Sequence, residues 1–187
     1  MLHAIVNVLR MTQDIRLERE KCDMPEYQKV VHTFEPIYNE ESKILILGSF
    51  PSVKSRENQF YYGHPQNRFW KVIANVLETE VPRTIIEKKV LMLDNGIAIW
   101  DVIASCSIQG SSDTSIKDVV VNDFSEMLAN SKIQTIYANG AKAYELYHKY
   151  AERETGIKAI KLPSTSPANA GWSLEKLFEI WKQTIVL

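Results

Sequence analysis

The sequence is short of cysteine: Cys22 and Cys106 are the only two, far apart and in no CxxC pair. That excludes a disulfide scaffold and a cysteine-ligated cluster, and it fits a reduced, cytoplasmic protein. The four histidines, His3, His32, His64 and His148, show no HExxH or similar ligand spacing, so neither a metal nor another cofactor is expected. No sign of charge is in surplus, with 22 Lys and Arg against 23 Asp and Glu and a net charge of −1. A nucleic-acid partner would therefore have to be met by a local cluster, because there is no overall basic field. No continuous apolar run is long enough for a membrane span or a signal peptide, which excludes a membrane partner. Glycine and proline are scarce as well, seven of each, so the places where they gather carry information.

With 45% hydrophobic and 24% charged residues in 187, the chain can bury one good core and is short for two. Residues 1–30 read as an N-terminal extension, with Ile5, Val8 and Leu9 suggesting a short amphipathic helix before a charged run, and with Met24 a second potential start. Residues 31–187 read as one domain.

Apolar runs that are too short for helices predict strands at residues 44–47, 97–103, 133–138 and 157–162. Helical spacing predicts helices between and after them: from about Asn67 to Leu77, from Val81 to Leu93, from near Ile116 to Leu128, from Ala141 to Glu154, and through Leu174, Leu177 and Trp181. Residues 30–41 read as an approach segment and residues 105–115 as a polar loop, with Asp113 a turn or cap residue. This alternation predicts the α/β class: a three-layer α/β/α sandwich around a mainly parallel four-stranded sheet, since parallel strands need crossover connections. Ligands then bind at the carboxyl ends of the strands.

Two unusual loops stand at such ends. The first follows Leu47 as Gly48, Ser49, Phe50, Pro51 and Ser52, and continues through Phe60, Tyr61, Tyr62, Gly63, His64, Pro65 and Asn67. Glycines allow close backbone approach, prolines stiffen the path, and rings and amides suit a pocket for a flat polar ligand. The second, after Leu162, reads PSTSPANAGW.

GSFPS followed by QFYYGHPQNRFWKVI resembles the first motif of the uracil-DNA glycosylase superfamily. The similarity is nearest to its hypoxanthine-DNA (deoxyinosine) glycosylase family and extends to mismatch-specific uracil glycosylases. LPSTSPANAGWSLEKL resembles the second motif, so the likeness brackets nearly the whole domain. It implies a monofunctional DNA glycosylase of base-excision repair that acts as a monomer on DNA containing deaminated bases, with hypoxanthine first and uracil second. Two alternatives stay open: a uracil or G/U(T) mismatch enzyme, and a non-catalytic domain that binds damaged DNA or a nucleotide.

The resemblance assigns catalysis to Asn67, through its carbonyl oxygen holding the attacking water. Read alone, an Asn before an apolar-periodic helix is an N-cap, and one residue can do both. His64 is implied as a partner for the leaving base, or else as a structural hydrogen-bonding group. Gly48, Ser49, Phe50, Pro51 and Ser52 would surround the base, and Tyr62 would stack on it. Ser164, Thr165 and Ser166 would meet phosphates, while Pro167, Asn169, Ala170 and Trp172 would enter or brace the vacated duplex. Lys54, Arg56, Arg68 and Lys161 would add a modest phosphate footprint. Ser164 and Thr165 stand where uracil-excising members carry a histidine, so strong stabilisation of a uracil anion is missing.

Overall fold

The computed structural model describes residues 27–109 and 113–187; the readings made for the extension up to residue 26 lie outside them. At the centre is β2 (Ile44–Gly48), every residue of it buried. It pairs in parallel with β3 (Ile97–Asp101) on one side and β6 (Thr135–Asn139) on the other. β7 (Ala159–Leu162) adds in parallel to β6, giving the order β3-β2-β6-β7. The expected four-stranded parallel sheet is therefore present.

A strand covered on both faces must be apolar at consecutive positions, and β2 shows how the two faces divide. Ile44 and Ile46 point into one core with Phe69, Val72 and Ile73 of α2 (Phe69–Val76) and with Leu177 and Trp181 of α7 (Leu174–Thr184). Met92 of α3 (Ile85–Asp94) joins that side, and a capping box between Thr84 and Glu87 starts this helix. Leu45 and Leu47 point into the other core. It contains Met127 of α4 (Ser125–Ala129) and Leu146 and Tyr147 of α5 (Ala141–Tyr150), a helix followed by the single turn α6 (Glu152–Thr155). Three layers result.

The connection between β3 and α4 departs from the sequence reading. Residues 97–103 are not one strand: β3 ends at Asp101, and β4 (Ile103–Ile108) takes in the first four residues of the segment expected to be loop. The helix expected from Ile116 is instead β5 (Lys117–Val121), and only the short α4 follows it. β1 (Gln28–Val31), β4 and β5 form a separate antiparallel sheet in the order β1-β4-β5. The cause is visible in β4: Ile103, Cys106 and Ile108 are buried while Ser105 and Ser107 are only partly covered. That is a half-buried strand whose hydroxyls face outward, which resembles a polar loop when only composition is read. In β5, three consecutive valines favour a pleated surface over a helix. Asp113 opens a single 3-10 turn, Asp113–Ser115.

Candidate active site

The first loop leaves the carboxyl end of β2 and is tied to its neighbours at once. The carbonyls of Gly48 and Ser49 accept from the N–H groups of Val102 and Ile103 at 2.9 and 3.2 Å. Ser52 then caps α1 (Val53–Glu57), its Oγ accepting from Ser55 N–H at 3.2 Å. Arg56 donates to the Pro51 carbonyl at 2.8 Å and lies 5.6 Å over the Phe50 ring. Gly48 has no substitute here, because a Cβ would stand 2.1 Å from Asp101 Oδ1.

The return path runs through Tyr61, Tyr62 and Gly63, whose N–H donates to Ser55 Oγ at 3.0 Å. Tyr62 has φ of 52°, a left-handed conformation that is uncommon for a bulky residue and is held by its surroundings. Its ring stacks on Phe69 with centroids 3.8 Å apart, and its hydroxyl is buried beside the Asn139 side chain without a hydrogen bond of normal geometry. Burial, and then the nearby Asp101 charge, push its ionisation far above the usual phenol range.

Asn67 stands before α2. Its Oδ1 accepts from Phe69 N–H at 3.0 Å and from Thr165 Oγ1 at 3.1 Å. The cap position itself belongs to Arg68, one residue on, so the Asn67 side chain closes a turn just before the helix instead of capping it, and both lone pairs of its carbonyl oxygen are in use. Nδ2 has no partner among the described residues. Thr165 is fully buried and belongs to the second loop. Next to it, Arg68 spends its side chain on that loop, donating to the carbonyls of Thr165 (3.2 Å), Ser166 (2.7 Å), Asn169 (3.1 Å) and Trp172. Arg68 is a strut, so the phosphate role expected of it does not fit. Lys54, expected in the same footprint, pairs with Glu57 at 2.6 Å.

Together the loops enclose a pocket of about 120 Å³. All six residues expected around the base line it: Gly48, Ser49, Phe50, Pro51, Ser52 and Tyr62. Asn67, Ser164, Thr165 and Ser166 line it too. His64 does not; it borders an adjoining groove of about 430 Å³ with Tyr62, Asn67, Lys71 and Lys88, and its Nδ1 accepts from Gln66 N–H at 3.2 Å. In the second loop Pro167 and Ala170 are exposed. Asn169 donates to the Ser164 carbonyl at 2.9 Å, and Trp172 packs against the core. Sequence reasoning missed Asp101 and Asn139, both buried and both lining the pocket. The signal for Asp101 was available: it is a lone acid inside the apolar run IAIWDVI at a strand end.

Among the described residues no group of three His, Cys, Asp or Glu can hold a metal ion, and no helix is long and apolar enough to cross a membrane.

Comparison with known proteins agrees with this geometry. The family model for the uracil DNA glycosylase superfamily matches residues 35–184. A Methanosarcina acetivorans protein named hypoxanthine DNA glycosylase is 39% identical over 144 residues, covering 75% of this chain and 89% of the relative. A Methanosarcina barkeri protein of the same name is 34% identical over 140 residues, covering 73% and 86%. The solution NMR structure of a candidate uracil DNA glycosylase from Methanosarcina acetivorans superposes with a TM-score of 0.66 at 35% identity, covering 80% of this chain and 95% of that one. The family match runs through both strand-end loops and every strand of the parallel sheet, so this chain belongs to the uracil DNA glycosylase superfamily and is a DNA glycosylase.

Proposed function

We propose that the protein excises hypoxanthine from DNA, with uracil as a lesser substrate, by hydrolysing the N-glycosidic bond and leaving an abasic site for repair. The names of the two Methanosarcina relatives support the choice of base. The observation that supports the chemistry is the anchored amide of Asn67, whose Oδ1 is held by two donors while Nδ2 is left free at the pocket.

A base stacked in a duplex cannot reach an enclosed pocket, so the nucleotide is flipped out and pocket contacts offset the lost pairing. The Tyr62 ring, already braced by Phe69 on one side, supplies a stacking surface, an interaction worth ~1–3 kcal/mol. Bond cleavage builds positive charge on the sugar, and the attacking water needs orientation more than deprotonation. Asn67 Nδ2 donates to one lone pair of that water and leaves the other free to attack C1′. Ser164 and Ser166 hydroxyls lie at the pocket edge, and the exposed tip of Pro167 and Ala170 enters the duplex, with Trp172 bracing it from behind. His64, in the adjoining groove, meets the DNA strand beside the flipped nucleotide. The protein acts as a monomer in this reading.

The test is single-turnover release of free base from matched oligonucleotides containing deoxyinosine or deoxyuridine. Hypoxanthine should leave faster, and Asn67→Ala should slow it by about 100-fold or more with DNA binding retained. Tight binding without release of either base would select the damaged-DNA-binding alternative.

A further inference from the structure

Among the described residues the lining of the pocket contains one carboxyl group, Asp101, and no lysine, arginine or histidine. A base that departs as an anion would meet no counter-charge there and would be repelled by a carboxylate. Departure is easier for a neutral base, which requires a proton donor.

Asp101 is built as one. It ends β3, opposite Gly48 in the register of the parallel sheet. Its Oδ2 shares a hydrogen bond with His32 Nε2 over 2.9 Å, whose direction follows which of the two holds the proton, and the side chains of His32 and Asp101 are 4% and 6% exposed. His32 follows β1 and so reaches the site from the antiparallel sheet, 69 residues away in sequence. Its ring is held by Phe34 and Phe50, with centroids 4.4 and 6.3 Å away. Oδ1 of Asp101 has no hydrogen-bond partner among the described residues. It points at the space that the missing Cβ of Gly48 leaves open, and the Tyr62 hydroxyl is 3.3 Å from the same point. Besides His32, the titratable groups facing Asp101 among the described residues are Tyr61 and Tyr62.

Resting on the glycosylase reading above, we propose that Asp101, loaded through His32, is a catalytic acid that protonates the departing purine. As the C1′–N9 bond breaks, its electron pair leaves with the base, and the carboxyl proton passes to N7, so that hypoxanthine departs neutral. Water adds to C1′ and gives up one proton, which balances the one spent and reloads the dyad. His32 is a positioning and relay residue. Uracil has no basic ring nitrogen equivalent to N7, so the same dyad favours a purine over a pyrimidine.

The experiment is the pH dependence of single-turnover excision. For wild type on hypoxanthine the rate should fall as pH rises, by up to about tenfold per unit. Asp101→Asn should lose about 100-fold or more and flatten the profile. The same variant should excise the base of 7-methyldeoxyinosine, whose methylated N7 lets it depart neutral without a proton, within about threefold of wild type. His32→Gln keeps a hydrogen bond to Asp101 but cannot relay a proton, so it should shift the hypoxanthine profile and spare the methylated base. A flat wild-type profile overturns the proposal without any variant. So does a folded Asp101→Asn that keeps the wild-type rate, or one that loses both bases equally. If wild type refuses the methylated base, an Asp101→Asn profile on hypoxanthine as steep as that of wild type overturns the proposal, and a flat one supports it. If wild type releases neither base, the glycosylase reading itself fails, and the proposal with it.

Discussion

Thr165 Oγ1 donates to Asn67 Oδ1 over 3.1 Å, joining residues that stand 98 apart in the chain. Thr165 is held in turn by Asn139, which donates to Oγ1 at 2.9 Å and accepts from its N–H at 3.0 Å. The polarity of this chain of bonds is fixed at one end, because Phe69 N–H can only donate and so requires the oxygen of Asn67. Two loops from β2 and β7 and the end of β6 thus form one polar unit, in which the Asn67 amide is oriented before any substrate arrives.

Thr165→Val tests that unit. The shape is kept, but Asn139 Nδ2 is left buried without an acceptor and Asn67 Oδ1 loses one donor. A cost of about 1–3 kcal/mol is expected in urea denaturation, together with a slower single-turnover rate. A variant with both quantities unchanged would show that the threonine does not orient the amide.

Arg68 predicts a different phenotype from a phosphate contact. Its guanidinium binds four backbone carbonyls of the second loop, a fork that an ammonium cannot reproduce. Arg68→Lys should speed hydrogen exchange in residues 164–172 and weaken DNA binding, while the slope of log affinity against log salt stays the same. A slope reduced by about one unit would mean that Arg68 neutralises a phosphate after all.

The parallel sheet and both loops were legible in the sequence because their signals are local. Residues 44–47 are apolar without interruption, and glycine, proline and hydroxyl residues collect at two strand ends. The antiparallel sheet was not legible. In residues 116–128, Val119, Val120, Phe124 and Met127 also satisfy helical spacing, and what makes Lys117–Val121 a strand is β4 beside it. Arg68 and Asp101 were hidden for a related reason. Arg68 finds its carbonyl partners 97 to 104 residues away, and Asp101 finds His32 at a separation of 69. No periodicity reports a partner at that distance. A lone acid in an apolar strand does report that a partner must exist, since a buried charge without one is costly.

Tyr61 and Tyr62 both ionise far above the ordinary phenol value, through burial first and the Asp101 charge second. In the unfolded chain both titrate near pH 10, roughly the model value. Above that pH the unfolded state binds fewer protons than the native state, so stability falls as pH rises; below it the two states bind alike and these groups add no pH dependence. Each tyrosine should contribute about 1.4 kcal/mol of destabilisation per pH unit above ~10. Absorbance near ~295 nm should show these two phenolates appearing only with the loss of far-ultraviolet dichroism. Ionisation in the folded protein near pH 10 would contradict their burial.

Asn67→Asp separates the two halves of the amide. The carboxylate keeps an oxygen for Phe69 N–H and Thr165 Oγ1, so the start of α2 and the link to the second loop should survive, and the melting temperature should change little. What disappears is Nδ2, which has no hydrogen-bond partner among the described residues. If that donor orients the water, Asn67→Asp should lose about as much rate as Asn67→Ala, on the order of 100-fold, despite its better fold. Asn67→Ala should in addition lose both hydrogen bonds of Oδ1, at a cost of about 1–3 kcal/mol. An aspartate variant at or above the wild-type rate would give the opposite assignment, with the water held by an acceptor and the carboxylate standing in for Oδ1. Single-turnover rates of the two variants, measured beside their urea midpoints, distinguish these outcomes, because activity and stability then move in different directions.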